Sequence, residues 1–364
     1  MSTSTPTEHP RVSIVGWSAV SPFGTGRASF ADGVGQARAT SAVIDRDHWQ
    51  VPDGRACLVP DFDVRAVLGK KGTRTMNRMT GLAVTTSGNL LKELGEPLGA
   101  QDTFGLVLGT TLGSAQSAID LTRSGLTGDK PFHIESGAIP YAVMNGAAGQ
   151  CAIWHGLKGP NATVAAGRSS GLLALNYARR LLLTERAASV LCGAAEEYSA
   201  ARSWISHHSR DTGTDEQVLG EGCAMFALTT QPAVEPLAEL LTIRTEIHSG
   251  PDWSRSVRRC VEKALATAHL DASQVWVVSP SGGDTPAAAD EIRVLRELFG
   301  EDSVLDPVTD LVGETHAVSA SFQLAGVLSL AGQDPAAAGR IALVSSVDPV
   351  GSVAVAVLRL GAAA

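Results

Sequence analysis

The residues best spaced for covalent chemistry lie in Gly167-Arg168-Ser169-Ser170-Gly171, which has the G-x-S-x-G form of an elbow that lifts a serine toward an acyl substrate. Such a serine attacks only when a base and an acid stand behind it. No histidine sits in a partnering motif, so Ser169 and Ser170 read as structural. His316, in the polar stretch Gly313-Glu314-Thr315-His316-Ala317, reads as a structural histidine rather than a general base. His207 and His208 are adjacent, and because successive side chains diverge they read as solvated rather than as a ligand pair. The five cysteines, Cys57, Cys151, Cys192, Cys223 and Cys260, show no C-x-x-C spacing. Neither a zinc site nor a disulfide framework follows, and reduced cytosolic thiols are expected. Lys70, Lys71, Arg74 and Arg78 form the one notable basic cluster and read as a solvated face, while Glu221 in Gly220-Glu221-Gly222 reads as a cap in a hairpin.

These groups must be positioned by a large core. Of 364 residues, 44% are hydrophobic and 18% charged, a globular composition. Apolar, β-branched runs bounded by glycine or proline at 12–15, 104–108, 189–192, 223–228, 275–278, 341–345 and 353–358 predict buried strands. Between them, 79–94, 170–184, 254–268 and 287–299 carry Ala/Leu-rich helical spacing. Strands and helices alternate throughout, as in layered α/β proteins. The proline-bearing stretch 230–239 suggests a boundary near residue 232, giving halves at 11–231 and 232–364 behind a disordered tail at 1–10. The net charge of −8, with no basic stripe, argues against a nucleic-acid partner. No run approaches the length of a membrane span and the start lacks a signal-peptide pattern, so a cytoplasmic location is expected.

Taken in order, RVSIVGWSAVSPFGTG, FDVRAVLGKKGTRTMNRMT, GLVLGTTLGS, KGPNATVAAGRSSGLLAL, SVLCGAAEE, GEGCAMFAL, SPSGGDTPAAADEIRVLRELFG, GETHAVSASFQLAGVLSL and SSVDPVGSVAVAVLRL resemble successive blocks of the β-ketoacyl-acyl carrier protein synthases of the thiolase superfamily. The likeness covers nearly the whole chain. It implies an α/β, thiolase-like, five-layered αβαβα fold with two pseudo-repeated halves. In that family a nucleophilic cysteine opens a helix in a C-x-S-G pattern, where the helix N-terminus favours thiolate. This chain has Arg168 there, and a guanidinium cannot attack a thioester. Ser281, in Pro280-Ser281-Gly282-Gly283-Asp284-Thr285, stands at the first catalytic histidine, and Glu314 stands at the second. Thr309 lies near the place of a family lysine, and the family's glycine-rich F-G-F-G-G loop is reduced to Val347-Asp348-Pro349-Val350-Gly351.

Loss of every catalytic group with the fold-bearing sequence intact resembles the chain length factors, inactive subunits that heterodimerise with a ketosynthase in type II polyketide assembly. Many carry glutamine at the cysteine position; this chain has arginine there and is also shorter than usual, mainly between Glu246 and Ser254, a departure that resembles the more divergent factors of highly reducing, polyene-making systems. The resemblance implies a ketosynthase α subunit and an acyl carrier protein as partners, with no cofactor bound directly and the carrier's phosphopantetheine entering through the partner. It implies a dimer strand at Ala162, Thr163, Val164, Ala165 and Ala166, and an acyl tunnel shaped by Leu112, Ser114, Ala115 and Ala118. The basic cluster then has carrier docking as its alternative role. Arg168 and Glu314 are expected to form an ion pair, with Ser281 as a further hydrogen-bond partner. Two other readings are a thioester decarboxylase or hydrolase using Ser281, His316 or Glu314, and a homodimeric scaffold.

Overall fold

The computed structural model describes residues 10–95, 98–130, 132–209, 217–231 and 235–362. The expected tail therefore falls, apart from residue 10, outside the described residues, as does the expected boundary at residue 232. Each predicted strand and helix lies, to within a residue at its ends, in an observed element, because the runs that predicted them are buried by their neighbours.

A ten-stranded mixed sheet system carries the fold. One half runs, in spatial order, Asn161–Ala165, Phe104–Thr110, Ser189–Glu196, Gly222–Thr229 and Ser13–Ser21, the first three parallel and the next two antiparallel to their neighbours. The other half runs Val275–Ser279, Ile341–Asp348, Ser352–Leu360 and Ala238–Ile247 with the same sequence of directions. Where the first half has its edge strand, the second has, among the described residues, only Val304, bridged in parallel to Val278. The halves join where Ser13 pairs with Glu239 and Ile14 with Ala238. This shared order is the pseudo-repeat, and the family resemblance anticipated it.

Helices Ser170–Leu183 and Ser319–Gln333 fill the space between the two half-sheets, and their apolar faces share one core with both. Almost every residue of Ser319–Gln333 is buried, as suits a helix covered on all sides. The two helices meet where Gly171 faces Ser321: a Cβ on Gly171 would lie 3.0 Å from the Ser321 backbone nitrogen. Arg78–Leu94 and Gly146–His155 cover the outer face of the first half, and Trp253–Ala268 with Pro286–Phe299 covers the second. The result is five layers, αβαβα.

Two features of this frame position the site. Each central helix is entered through a tight turn, Gly167–Ser169 in one case and His316–Val318 in the other, and the two turns touch. The strand Asn161–Ala165 pairs only with Phe104–Thr110 among the described residues. It carries no charge or proline, the usual protection of an exposed edge. The strand ends at Ala165, so Ala166, expected within it, instead turns into the elbow.

Candidate functional site

Three segments converge at the start of helix Ser170–Leu183. They are the elbow at Gly167–Ser169, the loop after Val275–Ser279, and the loop leading into Ser319–Gln333. Gly167 has φ +54°, and a Cβ there would collide with the Asp348 carboxylate. Gly283, at φ +96°, leaves room for the Arg168 guanidinium, which a Cβ would approach to 2.7 Å.

Arg168 is 2% exposed and does not reach solvent. Its Nη2 lies 2.5 Å from Glu314 Oε2, and Nε donates to Glu314 Oε1 at 3.2 Å, a two-point ion pair. Nη1 donates to the Gly282 carbonyl at 2.6 Å. The backbone N–H of Arg168, the kind of donor that stabilises an oxyanion at such an elbow, is taken by Asp348 Oδ2 at 2.7 Å. Both the side chain and the amide of position 168, where the resemblance puts a nucleophile, are therefore engaged by the chain's own carboxylates.

Burial opposes charge on Glu314, but Arg168 outweighs it, with His316 and its backbone N–H adding to the effect, and the carboxyl falls to about 2. On Arg168 burial again opposes the charge, and Glu314, with Glu291 and Asp348, overcomes it and raises the pKa. Gln217 Nε2 donates to Glu314 Oε2 at 3.3 Å, and the His316 N–H donates to Oε1 at 2.8 Å. Arg202 secures the loop from beneath, donating to the carbonyls of Glu314, Gly220 and Glu197.

Ser281 lies in the same pocket but not where it was expected. Its Oγ donates to Glu291 Oε2 at 2.5 Å, and its N–H reaches the same oxygen at 3.0 Å. No bond joins it to Arg168. The reason is helix Pro286–Phe299, which presents Glu291 inward at 0% exposure directly behind the loop. Thr309 holds the loop's other side, its hydroxyl donating to the Ser281 carbonyl at 2.9 Å.

Other readings of single residues fare differently, the two elbow serines as expected and Glu221 not. Ser169 is buried against Ser346 and Ser352, and the Ser170 hydroxyl donates to the Thr110 carbonyl, so neither serine meets a base among the described residues. Glu221 is no simple hairpin cap: fully buried, it accepts from Arg78 through both oxygens and from the backbone of Val59 and Tyr198. Arg78 thereby leaves the basic cluster, and only Lys70, Lys71 and Arg74 remain as an exposed set. His207 and His208 are exposed, as expected, and group with Trp204.

A cavity of about 320 Å³ lies beside the elbow, lined by Leu112, Ala115, Ile205, Glu196, Arg202 and His316 among others. Leu112 and Ile205, 52% and 42% exposed, mark its mouth. Ser114 does not line it; its hydroxyl caps helix Ala115–Thr127 and donates to Glu197 Oε1 at 2.7 Å. Ala118, a turn further on, does not line it either. A second cavity of about 190 Å³ reaches Glu314 from the side of Ser41 and Asp284, and Gln217 borders both. No cluster fit for a metal ion and no helix long and apolar enough to cross a membrane occurs among the described residues.

A fold of this topology with a closed elbow at its centre defines a class, and sequence comparison agrees. The family model for the beta-ketoacyl synthase N-terminal domain matches residues 9–233, and the chain belongs to that family. Among solved structures it is similar to the ishigamide ketosynthase/chain length factor, at 43% identity and a TM-score of 0.91 over 96% of this chain and 99% of that one. A type II polyketide synthase acyl-carrier protein in complex with its ketosynthase is similar in fold, with a TM-score of 0.79 at 19% identity over 97% of this chain and 100% of that one. The 3-oxoacyl-[acyl-carrier-protein] synthase 2 of Coxiella burnetii is 25% identical over 357 residues, covering 89% of this chain and 86% of that protein. The Vibrio harveyi protein of the same name is 23% identical over 326 residues, 80% of this chain and 78% of that one.

Proposed function

We propose that this chain is a non-catalytic chain length factor. It pairs with an active ketosynthase and shapes the end of the tunnel that holds the growing acyl chain during polyketide elongation on an acyl carrier protein. The observation that carries this reading is the closed elbow: Arg168 occupies the nucleophile's place in an ion pair with Glu314, and Asp348 occupies its amide. Acyl transfer to a cysteine and decarboxylative condensation would then take place on the partner, which would also receive the carrier's phosphopantetheine.

Three features support the pairing. The strand Asn161–Ala165, with Ala162, Thr163, Val164 and Ala165, offers an unprotected edge to a second chain. Ile153 and Trp154 beside it, with Ile139 and Ile119 on the adjoining helices and Met144 in the turn between 142 and 146, leave an apolar face exposed. Exposed Leu112, on the 320 Å³ cavity, is followed by Gly113, which packs against Met144 of this face. The similarity to the ishigamide ketosynthase/chain length factor supports the same assignment. The half-boundary near residue 232 belongs to this reading as well.

Co-expression with a ketosynthase tests it. A stable heterodimer should elute from size exclusion, while the chain alone should be poorly soluble and should release no carbon dioxide from malonyl-loaded carrier protein. Ala115→Phe should shorten the products of the assembled pair. A well-behaved monomer would defeat the proposal, and so would carbon dioxide release that Ser281→Ala abolishes.

A further inference from the structure

A further cavity, of about 490 Å³, lies between helix Arg27–Gly35, the central helix Ser319–Gln333 and the segment 305–311. The pseudo-repeat accounts for the space. Counting from Ser170 and from Ser319, the eighth residue of the central helix is Tyr177 in the first half and Gly326 in the second. The first half has a ring at that place, whereas the second leaves it open, with the Val308 side chain 3.4 Å from where a Cβ would stand. The floor is apolar: Val34, Leu305, Leu311 and Leu330 are half-buried, packed on the main core and lining the cavity. The rim is acidic. Asp306 and Asp310 are exposed at it, and no arginine, lysine or histidine lines the cavity. The basic residues nearest along this wall turn elsewhere: Arg27 lies over the Trp17 ring, and Arg38 lies over the Phe23 ring and donates to the Phe23 carbonyl. Burial first, and then the carboxylates of Asp284 and Asp306, raise the pKa of Asp310, with no described cation opposing them.

We infer that this cavity binds a small organic cation, its apolar body on Leu305, Leu311 and Leu330 and its one ammonium or amidinium group at Asp306 and Asp310. A mostly apolar cleft of several hundred Å³ with a few polar groups at one side has the form of a small-molecule site. The charge then selects the ligand. A carboxylate or phosphate would meet like charge at the rim, and an acidic carrier protein would be repelled for the same reason. A plain hydrocarbon would cover the floor but leave the carboxylates uncompensated, and a bare metal ion would gain nothing from the floor. Asp310 belongs to the short helix Thr309–Val312 and also borders the 190 Å³ cavity that reaches Glu314, so the site shares a wall with the elbow. The inference goes beyond the chain length factor reading and does not depend on it.

The test uses the full chain in the assembly in which it purifies, titrated calorimetrically with octylammonium, octanol and octanoate at low salt. Octylammonium should bind about tenfold tighter than octanol, the scale of one charge-assisted contact, and octanoate should bind weakest. Asp306→Asn combined with Asp310→Asn should bring octylammonium down to the affinity of octanol, and both positions are exposed, so the core is left intact. Ala31→Leu, at a half-buried position on the helix wall, should weaken octylammonium by filling the cavity. Equal affinity for octylammonium and octanol would overturn the inference. So would a preference that survives the double change, which would place the cation elsewhere. Tighter binding of an amphipathic leucine–lysine peptide at the same two aspartates would also overturn it, by making the occupant a protein segment. None of these results bears on pairing with a ketosynthase, so the two readings fail separately.

Discussion

Glu314 and Glu291 are both buried, both belong to segments that close around the elbow, and both act on the charge of Arg168. Their protonation nevertheless differs widely. Glu314 touches the guanidinium at two points, and its carboxyl sits at about 2. Glu291 is pushed up to about 7 by burial, against Ser281, Ser345 and the more distant Arg168. Burial alone favours the neutral acid, and only direct contact with a fixed cation reverses that. The pocket at the elbow is thus lined by one ionised carboxyl and one that titrates at about 7, and each can be disturbed separately.

The largest effect should come from breaking the ion pair. Removing one partner of a buried pair strands the other charge and costs about 3–5 kcal/mol. Glu314→Ala should accordingly lower the yield and melting temperature of the heterodimer. Arg168→Met combined with Glu314→Leu should restore much of both, because a buried pair barely offsets its own desolvation. If the double variant melts as low as Glu314→Ala, the pair contributes more than closure and the comparison with Glu291 fails.

An intermediate effect separates the carboxyls by pH. Glu314 lies below its ordinary value of 4.5, so its contribution is present above pH 4.5 and is lost as pH falls toward 2. Glu291 lies above 4.5, so its contribution is complete below pH 4.5 and is lost as pH rises through about 7. A shift of that size in a buried group corresponds to about 3 kcal/mol. Glu197, raised to about 7 mainly by burial, adds a loss of the same sign. Glu291→Gln keeps an acceptor for Ser281 and should flatten the decline in chemical-denaturation stability between pH 5 and 8 by roughly half. An unchanged slope would mean that Glu291 stays ionised.

Most of the fold was legible because strands such as Ile341–Asp348 are buried along their whole length and read as continuous apolar runs. Arg168 and Glu314 were legible because each stands at a fixed place in a motif. Glu291 was missed, although the signal was there. In Pro286–Phe299 the buried positions are Ala287, Ala288, Glu291, Val294 and Leu295, so the acid occupies the middle of an apolar stripe at helical spacing. An acid in that position needs a donor, and Ser281 supplies it. Glu221 gave no such signal, since the arginine that satisfies it, Arg78, lies 143 positions away in sequence. Asp348 on the Arg168 amide depends likewise on two loops that only the finished fold brings together.

The smallest expected effect is also the sharpest check on the closed elbow. Arg168→Cys restores the thiol of the family pattern, yet it should remain unacylated after incubation with an acyl pantetheine, its intact mass unchanged. The amide at that position would still be held by Asp348 Oδ2, 2.7 Å away in the present structure, and so would be unavailable to a developing oxyanion. The thiol would face Glu314 with its cation removed, and a neighbouring negative charge raises a thiol pKa and suppresses thiolate. No histidine stands at position 281 or 314 to take the proton. Combining Arg168→Cys with Glu314→His supplies a base and relieves the stranded charge, but leaves Asp348 in place. A gain of acyl mass by the single variant would show that the elbow is still competent and that Arg168 alone silences it. A gain seen only when Asp348→Gly is added to the pair would locate the closure at the amide.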